Sequence, residues 1–196
     1  MAGLMFSCST AESSAVTSVP KNQVVLAQVS DYLNGLKTIT AKFMQVGADG
    51  SVRTGQAIVQ RPGKMRFQYD KPDPELLVAG FGLLVYHDPQ LRQTTNIPLG
   101  STPLGILLQK HIDLSGPVTV TKISEPPGEV QVTLVRTRKA QQGHITLVFS
   151  TEPLELRQWR VTDAQGQLTQ VSLYDLHAVK PFPDKDFEYI QGINSN

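Results

Sequence analysis

Apolar positions along this chain change their spacing twice. From Pro20 to Lys37 they recur at intervals of three and four: Val25, Val29, Tyr32, Leu33 and Leu36 share one face, while Lys21, Gln28 and Asn34 point elsewhere. Pro20 suits a first turn and Gly35 lies near the end, so the pattern predicts an amphipathic helix that must lie on something. After Lys37 the period drops to two. Ile39 to Val46 and Val52 to Gln60 flank Gly47-Ala48-Asp49-Gly50, a glycine-bearing hairpin turn. Lys64 to Tyr69 places Met65, Phe67 and Tyr69 on one face and Lys64, Arg66 and Gln68 on the other.

Similar units follow. Leu83 to His87 and Leu91 to Asn96 flank Asp88-Pro89-Gln90; Val118 to Ser124 and Val130 to Arg138 flank Pro126-Pro127-Gly128. His144 to Ser150, Leu154 to Thr162 and Leu168 to Leu176 complete a meander whose last turn is Asp163-Ala164-Gln165-Gly166. The pattern predicts a mainly β (α+β) fold: a large curled antiparallel sheet, or open half-barrel, of about eleven strands. One stretch interrupts it. Gly100 to Asp113 has Ser101 or Thr102 as a cap, Pro103 in the first turn and a dense group in Leu104, Ile106, Leu107 and Leu108, which reads as a short, strongly apolar internal helix. A sheet this large presents a concave apolar face, and the two helices have nowhere else to bury their stripes than over it. Composition alone does not decide whether the space between is filled or hollow.

At 196 residues there is room for one domain with a sizeable core, taken here as residues 20–196. Eighteen Lys and Arg against 17 Asp and Glu leave a net charge of +1, which gives no reason to seek a phosphate-rich partner and argues against nucleic acid. The single cysteine, Cys8, excludes an intramolecular disulfide. No stretch approaches the roughly 20 apolar residues of a spanning helix. Residues 1–19 read differently from the rest. Met1 to Phe6 is apolar, and Ser9-Thr10-Ala11 and Ser13-Ser14-Ala15 match small-x-small cleavage sites, so this run is either the remnant of a signal peptide or a disordered N-terminus. Met5-Phe6-Ser7 before Cys8 is a poor lipidation motif, because bulky Phe6 stands where a small residue belongs.

The chain carries no His-Glu-x-x-His, Gly-x-Ser-x-Gly, phosphate loop or Cys-x-x-Cys. His87, His111, His144 and His177 are scattered over different elements, so neither a metal nor a cofactor is expected, and nothing groups into a nucleophile and its base. Gly80-Phe81-Gly82 lacks a following helix and reads as a tight bend. Asp70, Asp73 and Glu75 are spaced for acid–base work, but Pro72 and Pro74 between them favour an exposed turn. The picture is of a protein that binds something apolar rather than an enzyme.

Three segments carry a resemblance. Thr40 to Gln45, then Gly55 through Arg61-Pro62-Gly63-Lys64-Met65-Arg66-Phe67, then Leu84-Val85-Tyr86-His87-Asp88-Pro89 with Leu91 and Gln93, together resemble the LolA-type periplasmic outer-membrane lipoprotein carriers. Order and spacing fit from about Val24 to Tyr189; Ser101 to Leu104 with Leu107-Leu108 is similar to their internal lid helix, and Leu156 to Val171 to their paired strands around an Asp-x-x-Gly turn. The resemblance implies a half-barrel whose N-terminal and internal helices form a lid over an apolar cavity. In the periplasm, such a chaperone carries the acyl chains of lipoproteins from inner to outer membrane. Its partners would be acylated lipoproteins, an inner-membrane lipoprotein-releasing transporter and an outer-membrane acceptor, met as a monomer.

Carried over residue by residue, Phe43, Met65, Phe67, Tyr69, Leu83 and Val85 would face the cavity, with Leu104, Leu107 and Leu108 from the lid and Phe149 from the far strands. Arg61, by its residues alone a turn position before Pro62, would be the latch that holds the empty state closed. Two departures stand out: Ala79-Gly80-Phe81-Gly82 replaces a polar Asp-Gly turn, and the chain runs Asp186-Phe187-Glu188-Tyr189 where a Pro-Pro-Gly segment is usual. The alternative on the same fold is a membrane-anchored lipoprotein receptor or a lipid-sensing domain.

Overall fold

The structure, a computed structural model, describes residues 21–72 and 75–189. Cys8, both small-residue motifs, Pro20, Asp73 and Pro74 lie outside the described residues.

Helix α1 (Lys21–Gly35) has the predicted stripe: Val29 and Leu33 are fully buried, and Val25, Leu26, Tyr32 and Leu36 pack beside them. The strands are β1 (Thr38–Val46), β2 (Val52–Gln60), β3 (Lys64–Tyr69), β4 (Leu76–Gly80), β5 (Leu83–Asp88) and β6 (Gln93–Pro98), then β7 (Val118–Ser124), β8 (Glu129–Arg136), β9 (Gly143–Thr151), β10 (Leu154–Asp163) and β11 (Leu168–Ala178). They form one antiparallel sheet of eleven strands in the order β6-β5-β4-β3-β2-β1-β11-β10-β9-β8-β7. Every neighbour but one follows by hairpin; the exception is β1 against β11, which joins the two meanders. Register shifts at Thr40/Lys42, Leu156/Gln158 and Val120/Lys122 mark bulges, which add local twist and bend the sheet towards its concave face.

That face carries the core. Met65, Phe67 and Tyr69 alternate inward on β3, and an aromatic row crosses the strands: Tyr69 meets Phe43 edge-on at 5.1 Å, Phe43 meets Phe67 at 4.5 Å, and Phe67 meets Trp159 at 5.9 Å. Gly55 makes room for the row, because a Cβ there would stand 2.8 Å from the Phe43 ring and 2.1 Å from the Gln68 carbonyl.

The inserted segment departs from expectation. It is two 3-10 turns, Leu99–Ser101 and Pro103–Ile106, rather than a helix. Pro103 forces the preceding Thr102 into an extended conformation (φ −110°, ψ 145°), which splits the segment, and Gly105 sits so close to the Leu99 carbonyl that a Cβ would clash at 2.3 Å. The Thr102 hydroxyl caps the second turn by accepting from the Gly105 amide at 3.3 Å.

The chain after β11 folds back over the convex face. Phe187, 1 % exposed, packs on Leu76 and Val78, with Ile58, Phe182 and Tyr189 around it. Gly80 permits this, since a Cβ would meet the Phe187 carbonyl at 2.3 Å. Gln60 grips the strap at both ends of its amide, accepting from the Phe182 amide at 2.7 Å and donating to its carbonyl at 3.2 Å. Tyr189 reaches His87 Nδ1 at 2.8 Å.

Candidate functional site

A cavity of about 420 Å³ lies on the concave face between the inserted segment and the sheet. Its apolar wall is Met65 and Phe67 on β3, Leu77 on β4, Leu84 on β5, Leu104 from the second 3-10 turn, and Trp159, Val161 and Val171 on β10 and β11. Polar residues gather at the rim: Gln45, Ser101, Thr102, Gln142, Asp163, Gln165 and Thr169. The arrangement suits an amphiphile, apolar at depth and polar where it meets solvent.

Of the residues expected to face the cavity, Met65, Phe67 and Leu104 line it. Phe43 and Tyr69 are buried one layer away in the aromatic row, and Leu108 and Phe149 are fully buried core. Leu107 belongs to a second, nearly closed space of about 10 Å³ beneath the helix, shared with Leu33, Leu36, Ile39, Val59, Leu156 and Trp159. Leu83 and Val85 are corrected. Val78 pairs with Val85 and Ala79 with Leu84, so alternation sends Leu84 into the cavity and turns Leu83, 41 % exposed, and Val85 to the convex side. None of the residues lining this cavity comes from α1; Ser101 to Leu104 of the inserted segment line it, with Gln142 and the Asp163–Gln165 turn.

Arg61 joins the helix to the inserted segment. Its Nε donates to the Gln109 carbonyl at 2.8 Å; Nη1 donates to the Leu33 carbonyl and to that of Leu36 at 3.3 Å; Nη2 reaches Asn34 Oδ1 at 3.3 Å and the Lys110 carbonyl at 3.5 Å. The last carbonyls of a helix have no partner within it, and a cation there is favoured by the helix dipole. Arg61 meets both needs while its other donors hold the segment. Burial pulls its pKa below the usual arginine value.

Asn34, expected to face away, is a second tie. Its Oδ1 accepts from the Ile112 amide at 2.9 Å and its Nδ2 donates to the Ile112 carbonyl at 3.0 Å. The helix is fixed from below by Tyr32, whose hydroxyl accepts from the Leu156 amide at 2.9 Å beside the β10 bulge and whose ring meets Phe149 edge-on.

The acidic trio also separates. Asp70 is exposed and accepts from Thr54 at 2.8 Å, but Glu75 is only 6 % exposed. Glu75 stands opposite Tyr69 at the start of β4 and so shares the concave face. Its Oε1 pairs with Arg53 at 3.3 Å and accepts from the Tyr86 hydroxyl at 3.1 Å. Burial first, and then the Glu75 charge, push the Tyr86 pKa up to about 12. Burial likewise raises Tyr69, whose hydroxyl donates to Gln45 at 2.9 Å. Gly80-Phe81-Gly82 is the expected bend: Phe81 at φ +51° and Gly82 at φ +80° make a two-residue hairpin turn. Among the described residues no three or more His, Cys, Asp or Glu are grouped to hold a metal, and no helix is long and apolar enough to cross a membrane.

Comparison with known proteins places these features in context. The family model described as "Outer membrane lipoprotein carrier protein LolA" matches residues 34–190. An outer-membrane lipoprotein carrier protein of Dechloromonas aromatica is 27 % identical over 171 residues, covering 83 % of this chain and 81 % of the relative. One from Methylococcus capsulatus is 29 % identical over 173 residues, covering 83 % and 82 %. The crystal structure of a DUF1329 family protein from Desulfovibrio piger, 13 % identical, superposes with a TM-score of 0.52 over 86 % of this chain and 97 % of that one, a likeness of fold alone.

Proposed function

Because the chain belongs to the LolA family of outer-membrane lipoprotein carrier proteins, we propose that it carries acylated lipoproteins across the periplasm, received from an inner-membrane releasing transporter and handed to an outer-membrane acceptor. It binds and does no covalent chemistry. Each methylene of an acyl chain withdrawn from water is worth about 0.8 kcal/mol, so lipid-modified chains need an apolar interior to cross an aqueous compartment. The observation that carries this reading is the apolar cavity of about 420 Å³ under a segment held by side-chain hydrogen bonds.

That volume lies in the lower half of the roughly 300–1,000 Å³ spanned by pockets for single drug-sized ligands. A cargo with several acyl chains needs more, so the inserted segment moves outward on loading. The Arg61 bonds to Gln109 and Lys110 break in that step, and their loss is subtracted from the gain of burying the chains. The net affinity stays low enough for release. Met65, Phe67, Leu84, Leu104 and Trp159 contact the chains, and Phe43 and Tyr69 back them.

The test is native mass spectrometry of the protein purified from a lipoprotein-producing cell. A population carrying a lipid-modified polypeptide is expected. Protein that is bare under conditions where a known carrier is loaded would overturn the proposal.

A further inference from the structure

The end of β8 gathers cations that have no counter-ion. Arg136, Arg138 and Lys139, with Gly116, Pro117 and Thr137, line a recess of about 560 Å³ beside the start of β7. The chain as a whole carries a net charge of only +1, so this is a local concentration of charge. None of the three side chains makes an ion pair or a hydrogen bond among the described residues. Arg136 is the least comfortable of them. Its Nε is buried without a partner, and burial, with no carboxylate to oppose it, pulls its pKa below the ordinary arginine value. Its Nη2 lies against the second 3-10 turn, since a Cβ added at Gly105 would stand 2.6 Å away. Asp113, which approaches Gly116, is committed elsewhere: its Oδ1 accepts from the Ser115 amide and hydroxyl, each at 2.8 Å. The walls of the recess are fixed by backbone bonds, Thr137 donating to the Pro117 carbonyl at 3.2 Å and Lys139 to that of Arg136 at 2.9 Å.

We propose that this recess binds a phosphate ester, whose oxygens the Arg136 and Arg138 guanidinium groups take while Lys139 adds a third positive charge. The chemistry follows from the residues present. A guanidinium offers a planar fork of donors that matches phosphate oxygens, and an ammonium acts as a point charge beside it. Arg138 and Lys139 are exposed and draw the anion from solvent; Arg136 is half-buried and holds it where water competes less. A desolvated cation without a partner is costly, and an arriving anion removes that cost. The volume sets the size of the ligand. About 560 Å³ is far more than a bare ion fills and falls within the roughly 300–1,000 Å³ of pockets for small organic molecules, so the phosphate comes with an organic group, as in glycerol phosphate or a phospholipid headgroup. The site is separate from the acyl cavity, which none of the three cations lines, and it stands whether or not the protein carries lipoproteins.

The experiment titrates the full chain with glycerol phosphate, and in parallel with acetate and with glycerol at matched ionic strength, and reads backbone amides by NMR. Glycerol phosphate should shift the amides of Gly116, Thr137, Arg138 and Lys139, and the two controls should leave them in place. No shift, or an equal response to acetate, overturns the site. Arg136→Gln, and Arg138→Gln combined with Lys139→Gln, should each weaken binding by about tenfold or more, the scale of hydrogen bonds to a charged group. If Arg136→Gln does not fold, the double variant decides, because both its positions are exposed: an unchanged affinity there overturns the assignment. Flotation with vesicles of phosphatidylcholine, alone or mixed with an equal part of phosphatidylglycerol, tells the source of the phosphate. Binding to the mixed vesicles alone, displaced by glycerol phosphate, supports the site as one for a lipid headgroup; a bound free ester without vesicle binding supports it as one for a soluble ester.

Discussion

Beneath the C-terminal end of helix α1, at Leu33 and Leu36, the concave face leaves a void of about 10 Å³, whereas beneath the 3-10 turns of the same sheet it leaves about 420 Å³; a groove of about 380 Å³ flanks the helix at Val25 and Val29. The strands are alike in both halves; the covers differ. A 15-residue helix satisfies its own backbone and presents a continuous stripe, so Val29 and Leu33 are buried in the core, Leu33 beside Leu156 and Trp159. The 3-10 turns have no such stripe and poorer internal bonds, and their far end is tied down by Arg61 and Asn34 instead.

The largest expected contrast is between core residues of the two halves. Phe149→Ala, in the solid half, should cost about 3–5 kcal/mol in chemical denaturation, while Leu84→Ala, whose atoms already border empty space, should cost under about 2 kcal/mol. Equal losses would erase the distinction. Next comes Arg61→Leu, which strips the donors from the Gln109 and Lys110 carbonyls: a loss of about 2–3 kcal/mol with the domain still folded, and failed lipoprotein delivery in a transfer assay. Normal transfer by that variant would remove Arg61 from the mechanism. Asn34→Ala should be milder, about 1–2 kcal/mol, with faster hydrogen exchange at the Ile112 amide and a smaller effect on transfer, because Arg61 still spans the gap.

The smallest effect is alkaline. Tyr86 holds its proton up to about 12 in the folded protein, against about 10 in an unfolded chain. Its contribution is complete below about pH 10 and is lost as pH climbs towards 12, so stability should decline across that window and less steeply in Tyr86→Phe.

Most of the architecture was legible because half-buried strands alternate: β3 and β7 begin and end where their period-two pattern does. The exception is instructive. Leu76–Gly80 reads as an unbroken apolar run because both its faces are covered, one by the core and the other by the strap around Phe187, so nothing alternates. Leu83-Leu84-Val85 is also an unbroken apolar run, so spacing hid its parity although Leu83 is 41 % exposed. Arg61 was legible only through resemblance. Asn34 gave no signal, because its partner Ile112 is 78 positions away, and Glu75 looked like turn sequence between prolines until pairing opposite Tyr69 turned it inward. Spacing reports which face a residue shares with its neighbours, not what arrives there from elsewhere in the chain.

The most direct test of the central claim is hydrogen–deuterium exchange with and without a saturating triacylated lipopeptide. Gly105, Leu107 and Gln109, whose amides bond within the inserted segment, should lose protection on loading, while β8, β9 and the body of α1 stay unchanged. Release of α1 together with the segment, or loading with no change in the segment, would contradict a hollow half that opens against a solid one.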